Sequence, residues 1–185
     1  MTTAPAPAHV RVRTLAEGDW TAVLALEAAA HGAHDLSESP EALRSRARHA
    51  PDTCLVLTTP DAERTDGTET VLGYLLALPY PEGRHPDLTR PETTPHPDAD
   101  NLHLHDIVVA APARGRRLAD LLLHELVDRA RTRGHRTVSL VAVSGTAPYW
   151  TARGFTPRPA DPAPTGYGPD AVPMTRPLHP HPEAS

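Results

Sequence analysis

Two histidines separated by one residue, His103 and His105, lie in the segment LHLHDIVVAA. The apolar run predicts a β-strand, and alternation along it would put both imidazoles on one face together with Ile107 and Val109. An unperturbed imidazole titrates at about pH 6.5, so the pair is suited to act as a base, directly or through water. Two other interpretations stay open. An H-x-H pair on a strand is able to bind zinc or iron, and some of the 12 histidines are expected in purely structural positions.

The predicted strand leads through an arginine- and glycine-rich turn into a long helical pattern, in the segment DIVVAAPARGRRLADLL. The first N–H groups of a helix have no partner within it and lie at the positive end of its dipole, so they favour a pyrophosphate. Arg114, Arg116 and Arg117 add positive charge, and Gly115 allows the backbone to approach a ligand closely. The alternative is that these arginines only solvate a turn.

This junction resembles the coenzyme A loop of the GNAT superfamily of N-acetyltransferases, which has the pattern Q/R-x-x-G-x-G/A. Arg114 matches the first position and Ala119 the last, while Arg117 stands where the central glycine is usual. The downstream segment APYWTARGF resembles the family segment A-x-x-F/Y-Y/W-x-x-x-G-F. The element order agrees with the family from Val10 to Thr175.

The resemblance implies acetyl-CoA as co-substrate. It implies that the backbone of the strand hydrogen-bonds the pantetheine arm and polarises the thioester carbonyl, at Ile107, Val108 and Val109. It also implies that the diphosphate binds at the loop and the helix start, at Arg114, Gly115, Arg116, Arg117, Leu118 and Ala119.

The family resemblance also bears on the acid that protonates the leaving thiolate. In many members this acid is a tyrosine four residues before the glycine of G-F, and here that position is Trp150. Tryptophan cannot act as this acid. Tyr149 precedes it and is the candidate acid, with water as the alternative, while Trp150 is expected to form a wall for the pantetheine or part of the core.

The segment HLHDIVVAAPARGRRLA is also similar to the corresponding segment of arylalkylamine N-acetyltransferases, which carry H-L-H on this strand. In those enzymes the two histidines are associated with water-mediated deprotonation of the amine. The similarity therefore implies that His103 and His105 form a base relay. Such a relay is needed because an ammonium group cannot attack a thioester. The rest of the chain does not point to an indole or phenyl substrate.

The other elements that must position these residues are predicted in the order β, α, α, β, β, β, α, β, α, β. Ser39 is expected to cap the second helix and Pro40 to begin it. Residues 79–101 form a proline-studded connection, which we interpret as a lid or substrate wall. The expected fold is α/β, a GNAT-like mixed sheet flanked by helices, with parallel strands around the coenzyme A site. One domain, residues 10–176, is expected between flexible tails at 1–9 and 177–185.

The amino-acid composition of the chain excludes or disfavours several classes of function. All 18 basic residues are arginine, and the absence of lysine excludes a Schiff-base lysine, a pyridoxal-phosphate enzyme and a Walker A loop. Cys54 is the only cysteine, which excludes an intramolecular disulfide and a thiolate metal cluster. A net charge of -5 with one Phe, two Trp and four Tyr disfavours nucleic acid. No apolar run approaches the roughly 20 residues of a membrane span, and the start lacks a secretory signal, so we expect no membrane partner and a cytoplasmic location.

The sequence therefore predicts an acyl-CoA-dependent N-acyltransferase that moves an acetyl group to a primary amine of a small molecule by direct attack in a ternary complex. No metal is expected, and the protein is expected to be a monomer or a homodimer. The first alternative is a non-catalytic GNAT-like module that binds an acyl-CoA or a protein. A metal-dependent enzyme built on His103 and His105 comes third.

Overall fold

The structure, a computed structural model, describes residues 10–32, 36–60, 69–159 and 162–178, and within these ranges the chain forms seven strands and four α-helices. In chain order they are β1 (Arg11–Thr14), α1 (Trp20–His31), α2 (Pro40–Arg48), β2 (Leu55–Pro60), β3 (Glu69–Pro79), β4 (Asn101–Val109), α3 (Leu118–Thr132), β5 (Thr137–Ala142), α4 (Ala147–Thr151), β6 (Thr156–Pro157) and β7 (Val172–Pro177). The order agrees with the prediction except for the two-residue strand β6. The predicted tail 1–9 lies outside the described residues, as do residues 179–185 of the predicted tail 177–185. The first two residues of that predicted tail are part of the fold, since Pro177 ends β7 and Leu178 is buried.

The strands form one mixed sheet in the order β1-β2-β3-β4-β5-β7-β6. All neighbours are antiparallel except β4 and β5, which run parallel and are connected through α3. This confirms the predicted fold class. The parallel pair is short, because it contains only Asn101 with Thr137, Leu102 with Val138 and His103 with Ser139. Beyond His103 the two strands part.

Helices cover both faces of the sheet. One face packs against α3, through a buried apolar cluster that includes Leu57, Leu75, Leu104, Leu122 and Leu126. The opposite face packs against α1 and α2, through Trp20, Val23, Leu43, Val56, Tyr74 and Leu76. The sheet therefore lies between two helical layers, and its gap after His103 is bordered by both. No helix in the described ranges is both long enough and apolar enough to cross a bilayer.

The predicted start of α2 is confirmed. The Ser39 hydroxyl accepts a hydrogen bond from the Ala42 N–H at 3.1 Å, and Pro40 is the first residue of α2. At the end of α3 the chain turns through Gly134, whose φ of 79° suits glycine.

A β-bulge in β4 changes which side chains share a face. The register of β4 against β3 shifts between Leu104 and Asp106, so His105 is an extra residue on this strand. Beyond it, Ile107 and Val109 pack with the cluster under α3. The prediction that these two residues share a face with both histidines was therefore wrong, because the inserted residue breaks the two-residue alternation.

The connection 79–101 is held against α2. The buried Arg46 side chain donates a hydrogen bond to the Asp87 carbonyl at 2.9 Å, and the Glu92 N–H donates to the Ser45 hydroxyl at 2.8 Å. The Leu88 N–H also donates to the Thr165 carbonyl at 3.3 Å, which ties this connection to residues 162–168. The two irregular segments together border the face of the sheet that carries α2.

Candidate active site

A cavity of about 540 Å³ opens where β4 and β5 part. Leu104 to Ile107 line it from β4, and Leu140 and Val141 line it from β5. Over this stretch the facing edges of β4 and β5 are not paired with each other, and buried peptide groups need hydrogen-bond partners. An extended molecule that carries amide groups, such as a pantetheine arm, satisfies such edges in the manner of an added strand.

A smaller cavity of about 300 Å³ adjoins the first at the start of α3 and shares Arg114, Ala119 and Tyr149 with it. Further predicted coenzyme residues line this smaller cavity, namely Val109, Gly115, Arg117 and Leu118. No side chain caps the first turn of α3, so its N–H groups remain available to an anion. The two cavities together provide a narrow channel and a positively charged end, which fits the shape and charge of coenzyme A.

Arg117 has an unusual backbone for its residue type. Its φ is 57° and its ψ is 25°, in the left-handed region that favours glycine. This explains physically why the family pattern has glycine at the position. Arg116 is exposed on the same loop, and Arg114 donates from Nε to the Val109 carbonyl at 3.1 Å.

The other end of the larger cavity contains a buried pair, His105 and Glu38. The Nε2 atom of His105 lies 2.7 Å from a Glu38 oxygen, and both side chains are almost fully buried, at 2% and 3% exposure. Arg46 donates to the same carboxylate from Nε at 2.9 Å and from Nη2 at 2.6 Å. Burial alone would raise the pKa of Glu38, but His105 and Arg46 outweigh it and hold that pKa at about 2.

This pairing fixes the orientation of the imidazole. An ionised carboxylate only accepts hydrogen bonds, so the neutral His105 ring carries its hydrogen on Nε2. Its Nδ1 then presents a free lone pair, and within the described part of the chain this buried atom has no hydrogen-bond partner. His105 is thus arranged to receive a proton at Nδ1, with Glu38 stabilising the imidazolium that results.

Asp106 holds a second polar cluster on the same wall. His31, the last residue of α1, donates from Nε2 to an Asp106 oxygen at 3.0 Å, and the Tyr74 hydroxyl donates to the other oxygen. The hydrogen bond to Asp106 raises the pKa of His31 against the opposing effect of burial. Burial, followed by the charge of Asp106, raises the pKa of Tyr74. A carboxylate and an imidazole thus stand together beside the cavity.

His103 lies behind the cavity wall. It is fully buried, its Nδ1 is 3.1 Å from the Ser139 hydroxyl, and its Nε2 lacks a partner among the described residues. Burial lowers the pKa of His103 well below the usual value, so the ring is neutral at pH 7. Its ring centre is 6.3 Å from that of His105. The structure therefore brings only one of the two predicted base residues to the cavity.

The aromatic pair on α4 forms another wall. Tyr149 lines both cavities, is 39% exposed and stacks with the Arg153 guanidinium 3.5 Å above its ring. Burial raises the pKa of Tyr149, with Arg153 opposing. Trp150 is buried edge-to-face against Phe155 and also lines the larger cavity. Of the predicted strand residues, Ile107 lines this cavity, while the Val108 side chain is buried on the face that carries α1 and α2.

Sequence reasoning missed the acidic residues of this site. Asp106 stands inside an apolar strand directly after His105, and this charge in an apolar run was the available signal. Glu38 precedes the N-cap of α2, where acidic residues are common, so nothing marked it as a partner of His105. Among the described residues, no group of three or more His, Cys, Asp or Glu side chains is arranged to hold a metal ion.

The sequence profile of the Acetyltransferase (GNAT) family matches residues 20–155, which is more than half of the chain. The chain belongs to the GNAT family of acetyltransferases. The match spans the bulged strand, the arginine-rich loop and the α4 segment, all of which line the two cavities. No curated protein matches the chain in sequence.

Solved structures of GNAT proteins share this fold. A GCN5-related N-acetyltransferase from Kribbella flavida is 25% identical over 91% of this chain and 98% of its own, with a TM-score of 0.59. The ribosomal-protein-S18-alanine N-acetyltransferase from Escherichia coli is 18% identical over 95% and 98%, with a TM-score of 0.60. N-acetylglutamate synthase from Neisseria gonorrhoeae, complexed with coenzyme A and N-acetyl-glutamate, is 19% identical over 94% of this chain and 36% of its own, with a TM-score of 0.65. Family membership supports acyl-CoA use by this chain.

Proposed function

We propose that this protein transfers the acetyl group of acetyl-CoA to a primary amine of a small molecule by direct attack in a ternary complex. The observation that carries the proposal is the cavity between the parted strands β4 and β5. The arginine-rich loop lies at one of its ends, and His105 with Glu38 lies at the other. Acetyl-CoA supplies the acetyl group as an activated thioester.

The proton of the incoming ammonium group goes to Nδ1 of His105, directly or through water. The amine nitrogen then attacks the acetyl carbonyl carbon and forms the new N–C bond, and the C–S bond breaks with its electron pair leaving on sulfur as a thiolate. The nitrogen loses a second proton as the amide forms, and the thiolate gains one proton through Tyr149 or water, so that the products are the N-acetylated amine, free coenzyme A and the proton held by His105. Glu38 keeps the His105 ring oriented and stabilises the imidazolium, as the carboxylate does in a catalytic triad. His103 lies behind His105 and is proposed to pass the proton onward through water.

Backbone N–H groups along Ile107 to Val109 are proposed to bind the pantetheine and to polarise the acetyl carbonyl. Arg114, with Arg116 and Arg117, is proposed to bind the diphosphate together with the first N–H groups of α3. Tyr149 lines both cavities and is proposed to protonate the thiolate, with water as the alternative.

Isothermal titration with acetyl-CoA tests the coenzyme half of the proposal, and absence of binding at millimolar concentration would refute it. A pH-rate profile tests the base. The His105→Ala and His103→Ala variants should lose rate most at low pH, where the fewest amine molecules are unprotonated. An unchanged profile in the double variant would remove the relay.

A non-catalytic module that binds an acyl-CoA or a protein partner is the second candidate. It is favoured by Arg117 at the usual glycine position and by Trp150 at the usual position of the acid. A thiol-release assay over a panel of amines separates the two. Coenzyme binding without any thiol release supports the module.

A further inference from the structure

The end of the larger cavity away from the coenzyme loop is where an acceptor must lie, if the proposed acetyl transfer takes place. The walls there come from the end of α1, from the segment before α2 and from the two irregular connections. Six residues define this acceptor end, namely Glu27, His31, Leu36, Glu38, Leu88 and Tyr167. All six lie outside the two motifs that carry the family resemblance, residues 103–119 and 147–155.

The charges of the acceptor end are acidic. Glu27 is 3% exposed, and among the described residues it accepts hydrogen bonds only from neutral groups, the Ser37 hydroxyl at 2.7 Å and the Glu38 N–H at 2.8 Å. The carboxylates of Glu38 and Asp106 stand beside it on the cavity wall. Facing them are the imidazoles of His31 and His105, and the guanidinium of Arg46 that is already bound to Glu38.

Arginine is almost absent from this cavity. Among the described lining residues the only arginine is Arg114, which belongs to the coenzyme loop. A ligand that carried its own carboxylate would therefore meet Glu27, whose carboxylate has no cationic partner among the described residues, without a free guanidinium to pair with. A cationic amine meets complementary charge, and like charges placed together at a binding site discriminate strongly between ligands.

Leu88 and Tyr167 close the acceptor end from outside the sheet. Their segments are joined by the hydrogen bond from the Leu88 N–H to Thr165. They also pack tightly, because a Cβ added at Gly166, which has a φ of 89°, would lie 2.8 Å from the Leu88 Cβ. The wall is thus tied at two points, and it limits how far an acceptor extends beyond its amine.

Two buried polar atoms of residues that line the cavity have no hydrogen-bond partner among the described residues. The Tyr167 hydroxyl belongs to a side chain that is more than nine-tenths buried, and it has no hydrogen-bond partner within the described ranges. The same holds for Nδ1 of His105. A buried hydroxyl without a partner is costly, so the site favours a ligand with a polar atom at that place.

From these features we infer that the acceptor is a compact amine without a carboxylate group, cationic when free. Its ammonium group lies toward Glu27, Asp106 and His105. Its body lies against Leu36 and Leu88, and a polar atom at its far end bonds the Tyr167 hydroxyl. The inference rests on the proposed acetyl transfer and selects its substrate class.

Matched pairs that differ by one carboxylate test the class. The pairs are isopentylamine with leucine, histamine with histidine, and tyramine with tyrosine, together with a hexapeptide that has a free N-terminus. In a thiol-release assay with acetyl-CoA, kcat/KM should be at least about 100-fold higher for each amine than for its amino acid or for the peptide. Equal or better turnover of the amino acids or of the peptide would overturn the inference and leave the acetyltransferase proposal intact.

Two variants add a test of the wall. Tyr167→Phe should lower kcat/KM for tyramine and histamine about tenfold relative to that for isopentylamine, since only the first two carry a second polar group. Leu88→Ala should raise turnover of amines longer than tyramine, whereas the control Leu121→Ala, at an exposed position of α3, should not. An equal loss for all three amines, or no gain for longer amines, contradicts the placement. Titration shows whether acetyl-CoA binds: absence of turnover despite binding overturns the inference, while absence of both refutes the proposed function.

Discussion

Replacing Arg117 by glycine should make the protein more stable. An L-residue in the left-handed region costs about 1–2 kcal/mol, while glycine loses about 0.5–1 kcal/mol more backbone entropy on folding. The φ of 57° and ψ of 25° at Arg117 therefore predict a net gain of about 0.5–1 kcal/mol for Arg117→Gly. For a chain of this size that gain corresponds to a rise of about 1–4 °C in Tm.

Arg117→Ala separates the backbone effect from the charge effect, because alanine keeps the backbone cost and loses the guanidinium. Its Tm should not exceed that of the unchanged protein. Both variants remove one exposed positive charge from the diphosphate end, which should weaken acetyl-CoA binding about two- to fivefold at low salt and less at high salt. Arg116→Gly is a matched control, since this neighbour on the loop does not have a positive φ.

Urea unfolding and isothermal titration at two salt concentrations measure both effects. Three outcomes would refute the reasoning. Arg117→Gly could prove no more stable than Arg117→Ala, Arg116→Gly could stabilise as much, or the loss of affinity could be independent of salt.

Three further predictions concern the buried polar groups. Glu38→Gln leaves Arg46 charged and unpaired, so the free energy of unfolding measured in urea should fall by about 3–5 kcal/mol. The double variant with Arg46→Met should regain stability but not turnover. Restored turnover would contradict the role of Glu38. Because Asp106 raises the pKa of His31, their pair stabilises the fold below the unfolded pKa of about 6.5, and this contribution is lost as pH rises through the raised pKa. His31→Gln should therefore lower the urea midpoint more at pH 5.5 than at pH 9, and an equal loss at both would argue against the pair. His103 has the opposite sign: burial lowers its pKa, so the fold loses stability as pH falls below about 6.5, and His103→Gln should flatten that loss in the same assay.

The parts of the fold that could be predicted are those set by local signals. Ser39 caps α2 and Pro40 begins it, so two adjacent residues mark the start of this helix. Gly134 marks the end of α3, because its positive φ favours glycine. The two sides of the gap could be placed because a strand, a loop, a helix and a second strand follow one another from Asn101 to Ala142. Such signals need no knowledge of the rest of the chain.

The parts that could not be predicted depend on contacts between distant residues. Glu38 and His105 are 67 positions apart in the sequence, and the residues around one give no indication that it contacts the other. The bulge at His105 inserts one residue without a change in composition, and it moves two apolar side chains to the other face. Leu88 and Tyr167 come from segments without hydrophobic periodicity, so only the three-dimensional structure shows that they lie at the acceptor end.

The separation of β4 and β5 also determines where unpaired strand edges lie in the sheet, and therefore whether other chains can reach them. A free strand edge on the outside of a sheet invites a strand of another molecule to pair with it. Here two free edges face each other in the middle of the sheet, across the cavity of about 540 Å³. The fold thus keeps these unpaired peptide groups away from the outer edges of the sheet, which are formed by β1 and β6. A ligand bound in the gap connects strands β1 to β4 with strands β5 to β7, so ligand binding should raise the free energy of unfolding of the whole sheet.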